Sequence, residues 1–171
     1  MDTVVSSISI AQLLQHSHSK WVTRERPKID RIACPWLIRR FIDPRAEFLY
    51  VPAAEVCAVA KAEQAIPYDV PDVQFSHRGE LCSFDAFLAD FALDDPALTE
   101  LALIVRGADT GRPELTPQSP GLLAISLGLS LNYPDDHAML EQGMVVYDAL
   151  YAWIRSARTE AQKAGLSRKP S

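Results

Sequence analysis

The sequence predicts an α+β fold, with a small sheet in the N-terminal half packed with a predominantly helical C-terminal half. Three observations predict it. Short β-leaning runs, WVTR at 21–24 and AEFLYV at 46–51, lie early in the chain. From Ser83 onward, apolar residues recur at helical spacing almost to the end. With 171 residues, 48% of them hydrophobic and 23% charged, a single domain can bury a sizeable core.

Residues 1–19 read as a loose lead-in with one helix at Ile8–Gln15, residues 20–158 as the domain, and residues 159–171 as a polar tail. Trp21–Arg24 is a short strand, followed by a loop broken by Pro27. Pro35 takes the first helical position, with Cys34 at the N-cap or just before it. Trp36, Leu37, Ile38, Phe41 and Ile42 give that helix an apolar side, and Asp43-Pro44 ends it. Ala46–Val51 is the second strand. Ala53–Ala65 is an Ala-rich helix stopped by Pro67, and Tyr68–Ser76 is β-leaning but interrupted by Pro71.

Ser83-Phe84-Asp85 opens a helix carrying Phe84, Phe87, Leu88 and Phe91. Another runs from Pro96 to about Arg106, before a loop containing Gly107, Gly111 and Pro113. The leucines of Leu122–Leu131 alternate as in a strand. Ser119-Pro120 is nonetheless a helix start, and Ala124 and Gly128 are spaced for close helix packing, so this segment is read as helix. Pro134-Asp135-Asp136 starts a long helix with Leu140, Met144, Tyr147, Tyr151 and Ile154 as its buried stripe. After about Arg158 the sequence turns polar and the helix is expected to fray.

Charge narrows the function classes. Lys20 to Arg45 carries eight of the seventeen Lys/Arg residues against three Asp/Glu, in a chain of net charge −5. A basic island in an acidic protein suits a small-anion site. The acidity elsewhere argues against nucleic-acid binding, which needs a broad basic face. No apolar run approaches the ~18 residues of a membrane span. An early Asp2 and no basic n-region make a poor secretory signal. Cys34, Cys57 and Cys82 are an odd number with no CxxC pair, as expected of free thiols in a reducing cytoplasm. Phosphate-loop, dinucleotide, Gly-x-Ser-x-Gly and His-Glu-x-x-His patterns are all missing.

Three constellations carry chemistry. Cys34, at a helix start with Arg31 just upstream, meets two conditions that lower a thiol pKa, against the plainer role of a buried small residue. Arg31, Arg39, Arg78 and Arg106 offer forked donors for a tetrahedral oxyanion, although most arginines solvate a surface. His137 and Glu141, four apart on a helix, share a face. With His77, and Asp30 or Asp109 from loops, they form a nitrogen-and-oxygen ligand set for a divalent transition metal of unknown identity. The structural alternative is that the Asp residues cap the helix and His137 makes an ordinary hydrogen bond.

The run from Trp21 through Ile29-Asp30-Arg31-Ile32-Ala33-Cys34-Pro35-Trp36-Leu37-Ile38-Arg39-Arg40-Phe41-Ile42-Asp43 closely resembles the hallmark of the chromate-resistance ChrB family. Later blocks are similar to the same family: His77-Arg78-Gly79-Glu80-Leu81-Cys82-Ser83-Phe84, Ile104 to Thr110, and Asp135-Asp136-His137 leading into Tyr147 to Tyr151. The resemblance covers about Lys20 to Arg158 and points to the domain that follows a regulatory region in longer members. Those members are associated with chromate-responsive control of an efflux pump, and related proteins pair the domain with a rhodanese-like one. The resemblance carries no catalytic residue list.

The leading expectation is therefore a cytoplasmic chromate-resistance (stress-response) domain. It would bind chromate or a related oxyanion, a metal ion, or both, and would sense or process chromate. A thiol- or metal-dependent oxidoreductase or sulfur-transfer partner acting through Cys34 is the second reading. A non-catalytic dimerisation or regulatory module, a homodimer among the options, is the third.

Overall fold

A computed structural model describes residues 18–167, so the expected helix at Ile8–Gln15 lies outside it. Strand β1, Lys20–Arg24, is the centre of a parallel three-stranded sheet, between β2, Glu47–Val51, and β3, Ile66–Pro67. Trp21 stands opposite Phe48 and Ile66 and joins the main core, while Val22 faces the other way, among Val56, Ala65 and Val70. A parallel strand covered on both faces loses the apolar–polar alternation of a half-buried one, so Trp21, Val22 and Thr23 are all fully buried.

Helix α1 spans Asp30–Leu37 and continues as a π-helical turn, Ile38–Ile42. This corrects the expected start at Pro35, because the helix begins five residues earlier and Pro35 lies inside it. A proline there forfeits the bond to the carbonyl four residues back. The Tyr50 hydroxyl donates to that carbonyl, Arg31 O, at 3.3 Å instead. A 3₁₀ turn, Ala53–Glu55, precedes the short α2, Val56–Ala62. Tyr68–Ser76 forms no strand. The backbone turns at Asp69 (φ 51°) and Asp72 (φ 62°), leaving only an isolated bridge between Tyr68 and Phe75.

The helical half follows as α3 (Ser83–Asp90), α4 (Pro96–Asp109), α5 (Ser119–Asn132) and α6 (Asp136–Ser167). The α+β reading therefore holds. Helix α6 runs on to Ser167 rather than ending near Arg158, because Ala, Glu, Gln and Lys are good helix formers even without an apolar face. Ala124 and Gly128 do not serve close packing within the chain. Ala124 is exposed, and a Cβ at Gly128 would meet nothing within 4 Å. No described helix is long and apolar enough to cross a membrane.

The close approach is at Gly143 on α6, where a Cβ would overlap Ile32 Cγ2 of α1. Ile32 is 1% exposed and β-branched, so it cannot swing clear. Gly143→Ala is expected to cost about 1–3 kcal/mol by overpacking. At about 2–4 °C per kcal/mol for a domain of this size, that is read as a lowered melting temperature. An unchanged melt would mean that α1 and α6 are not seated this closely.

Candidate metal and oxyanion site

The carboxyl ends of β1 and β3 lead into the site. This is the edge of a parallel sheet where α/β proteins commonly place ligands. Arg24 ends β1, Asp69 lies just beyond β3, and Asp30 opens α1 after the loop that follows β1. Two residues here hold backbone conformations uncommon for L-amino acids: Ile29 at φ 38° and Asp69 at φ 51°. For a β-branched residue this is an outlier. Strain of this kind tends to collect at functional positions.

His77 is the hub. Its Nε2 lies 3.0 Å from Asp109 Oδ2, 3.4 Å from Asp69 Oδ1 and 3.6 Å from Asp30 Oδ2. The ligand atoms of Asp30, Asp69 and His77 lie within 4.8 Å of one another, close enough to share one ion. Asp30 is fully buried and Asp69 nearly so, while the His77 side chain is 43% exposed. The cluster thus has a dry floor and one face toward solvent. An open groove of roughly 590 Å³ adjoins it, with Arg24, Asp69, Ser76 and His77 among its walls.

Each acid is held by the fold. Asp30 accepts the amides of Ser83 (2.7 Å) and Phe84 (3.3 Å), so a carboxylate from α1 sits on the first turn of α3. The Asp109 carboxylate accepts the Asp30 amide in turn. The Ser83 hydroxyl donates to Asp69 Oδ1 at 2.7 Å. On the other side of Asp69, Oδ2 faces Arg31 Nε at 3.5 Å and an Arg24 terminal nitrogen at 3.6 Å.

The electrostatics are those of an acid cluster gathered around one cationic position. Burial, then the neighbouring Asp109 and Asp69, pushes the Asp30 pKa well above the carboxylate range. Burial and then Asp69 raise Asp109 as well. His77 is pushed up to about 9, first by its hydrogen bond with Asp69 and then by charge attraction to the surrounding carboxylates. Burial, then the adjacent Arg24, lowers Arg31.

The other expected site residues go elsewhere. Cys34 is the fifth residue of α1, not its cap, and is fully buried with its thiol 4.0 Å from Asp30 Oδ1. Burial, then the Asp30 charge, raises its pKa well above normal, the opposite of the expected activation. His137 Nε2 lies 2.8 Å from Phe48 O, and Glu141 pairs with Arg39 at 2.7 Å, with the Arg39 guanidinium over the Phe48 ring. Neither joins the His77 cluster. Arg106 grips Asp85 through two bonds and Arg78 grips Asp90 through two. Arg78 also reaches Gln74 O, which makes it a strut for the loop carrying His77. Of the four expected anion-binding arginines, only Arg31 faces the cluster. Asp69, Arg24 and Ser83 were missed. A polar residue suited to positive φ in Tyr68-Asp69-Val70-Pro71-Asp72 was the one hint of Asp69 that the sequence held.

Comparison with known proteins gives a consistent picture. The family model described as "ChrB, C-terminal domain" matches residues 21–154. A protein from Cupriavidus metallidurans, described as "Protein ChrB", is 36% identical over 145 residues. That match takes in 84% of this chain but 43% of the relative, so the chain spans less than half of that protein's length. No solved structure matches.

Proposed function

The chain belongs to the ChrB C-terminal domain family, and from that premise we propose that it is a chromate-resistance domain built around a divalent-metal site with an oxyanion position beside it. Asp30, Asp69 and His77 would hold the ion, with Asp109, whose Oδ2 faces the same His77 nitrogen at 3.0 Å, as a further carboxylate beside it. Arg24, on the wall of the groove, would receive the oxyanion, with Arg31, which faces the same Asp69 oxygen and also donates to the Arg24 and Glu25 carbonyls, adding positive charge behind it. Chromate is the ligand that the family association favours, and its likeness to sulfate in shape and charge calls for forked guanidinium donors rather than point charges.

The observation that carries this reading is the meeting of His77 with three carboxylates at a strained, half-open edge of the sheet. Helix capping accounts for the amide bonds to Asp30 and Asp109 but not for an imidazole gathered among them. A metal ion would replace the proton that His77 holds in the free protein, so uptake would release protons and strengthen with rising pH. The mixed nitrogen-and-oxygen donor set suits Zn²⁺, Mn²⁺, Fe²⁺ or Co²⁺. Cys34 stays a neutral thiol beneath the site, which disfavours the thiol-dependent readings.

The test is elemental analysis of protein purified without an affinity tag, then calorimetric titration after chelator treatment. One equivalent of metal in the parent, lost in His77→Ala and retained in His137→Ala, is the expected result. In the loaded protein, Arg31→Gln is expected to weaken chromate and sulfate binding together. Equal metal uptake by the His77→Ala variant, or none by the parent, would retire the proposal.

A further inference from the structure

Both metal-side carboxylate oxygens meet the same small residue. Ser83 is fully buried. Its amide donates to Asp30 Oδ2 and its hydroxyl to Asp69 Oδ1, each at 2.7 Å. These are the two oxygens that face His77. Their partner oxygens are turned away, Asp30 Oδ1 toward the Phe84 amide and the Cys34 thiol, and Asp69 Oδ2 toward Arg24 and Arg31.

The hydroxyl is not needed by its own helix. Residue 82 occupies the cap position of α3, and the Asp85 carboxylate accepts the Cys82 amide at 3.0 Å. A serine at a helix start ordinarily spends its side chain on nearby backbone. This one spends it on an acid fourteen residues away.

We propose that Ser83 is a positioning residue that holds one oxygen each of Asp30 and Asp69 toward His77, leaving the other oxygens to Phe84, Arg24 and Arg31, and so tunes the site for a small transition-metal ion over Ca²⁺. The inference rests on the metal reading above. Ca²⁺ seeks six to eight oxygens and readily takes carboxylates by both oxygens. Here each carboxylate has one oxygen engaged elsewhere, and the third donor is an imidazole. Partners that hydrogen-bond ligating carboxylates set ligand orientation, and their loss typically lowers metal affinity 10–100-fold.

The experiment is calorimetric titration of the full chain with Zn²⁺ and, separately, Ca²⁺, with metal-free melting temperatures recorded alongside. The parent is expected to bind Zn²⁺ and to show little Ca²⁺ binding. Ser83→Ala is expected to lose about 10–100-fold in Zn²⁺ affinity and to narrow the preference over Ca²⁺, while Ser83→Thr, which keeps the hydroxyl, recovers most of both. Ser83→Gly supplies a second hydroxyl-free variant should Ser83→Ala fold poorly. If Ser83→Ala or Ser83→Gly binds Zn²⁺ like the parent with the same preference, the role of Ser83 is overturned and the metal site stands. If the parent binds no Zn²⁺, the metal reading falls and this inference falls with it.

Discussion

Asp30→Asn is expected to reduce affinity for a divalent transition metal about 100-fold or more, beyond the 10–100-fold loss of an outer hydrogen-bonding partner, while the metal-free protein melts at the same temperature or higher. Asn has the same shape, and its one carbonyl oxygen can still accept the Ser83 amide, the shorter bond at 2.7 Å, giving up only the longer Phe84 bond at 3.3 Å. What it removes is a charge in a fully buried position beside Asp109 and Asp69. A carboxyl whose folded pKa is raised contributes stability below its unfolded value of 3.8 and loses it as pH rises through the folded value. Ionising Asp30 in its buried position therefore costs the metal-free fold stability, a cost that a bound cation would offset. Binding and melting, measured on the same preparations, separate the two roles. A large fall in the metal-free melt would make Asp30 a structural cap, and unchanged binding would remove it from the ligand set.

Trp21→Ala is expected to be the most destabilising single truncation, at about 3–5 kcal/mol of a total that is typically about 5–15 kcal/mol. Trp21 is fully buried and meets Phe87 and Phe75 with ring centroids 5.4 and 5.5 Å away, and Tyr68 at 6.3 Å. Its indole N–H donates to Ser19 Oγ at 2.8 Å. The effect should reach the site without any direct contact, because Tyr68 precedes Asp69 and Phe75 lies two residues before His77. Chemical denaturation should show the loss, and metal titration should weaken alongside it. A change below 1 kcal/mol would mean that this aromatic cluster is not the centre of the core.

Long periodic segments were legible in the sequence because apolar residues kept at helical spacing over three or more turns fit one face of a helix and little else. That holds for α4 and α6, whereas the leucines of α5 alternate and its helix was read from Ser119-Pro120 and its small residues; the strands at Trp21 and Phe48 were plain from their β-branched and aromatic content. The start of α1 was not legible. Its cap is Ile29, with no capping side chain and a positive φ, so Pro35 gave the louder and misleading signal. The two-residue β3 was too short to leave a pattern.

The site divides the same way. His77, Asp30 and Asp109 stood out as polar residues at loops and element ends. Spacing of four joined His137 to Glu141, but a shared helix face does not say what that face meets. Here it meets Phe48 O and Arg39. Asp69, Arg24 and Ser83 enter only through tertiary pairing, since nothing local separates them from an ordinary loop acid, strand end or helix start.

The Asp30 amide is held by a residue that ends a helix 79 positions later. During synthesis Asp30, Asp69 and His77 therefore leave the ribosome well before the support that completes their arrangement. A nascent chain stalled before Asp109 would carry every proposed ligand and still lack the support that Asp109 gives the Asp30 amide. On the proposed metal reading, tight loading would then favour molecules that have finished folding over nascent ones.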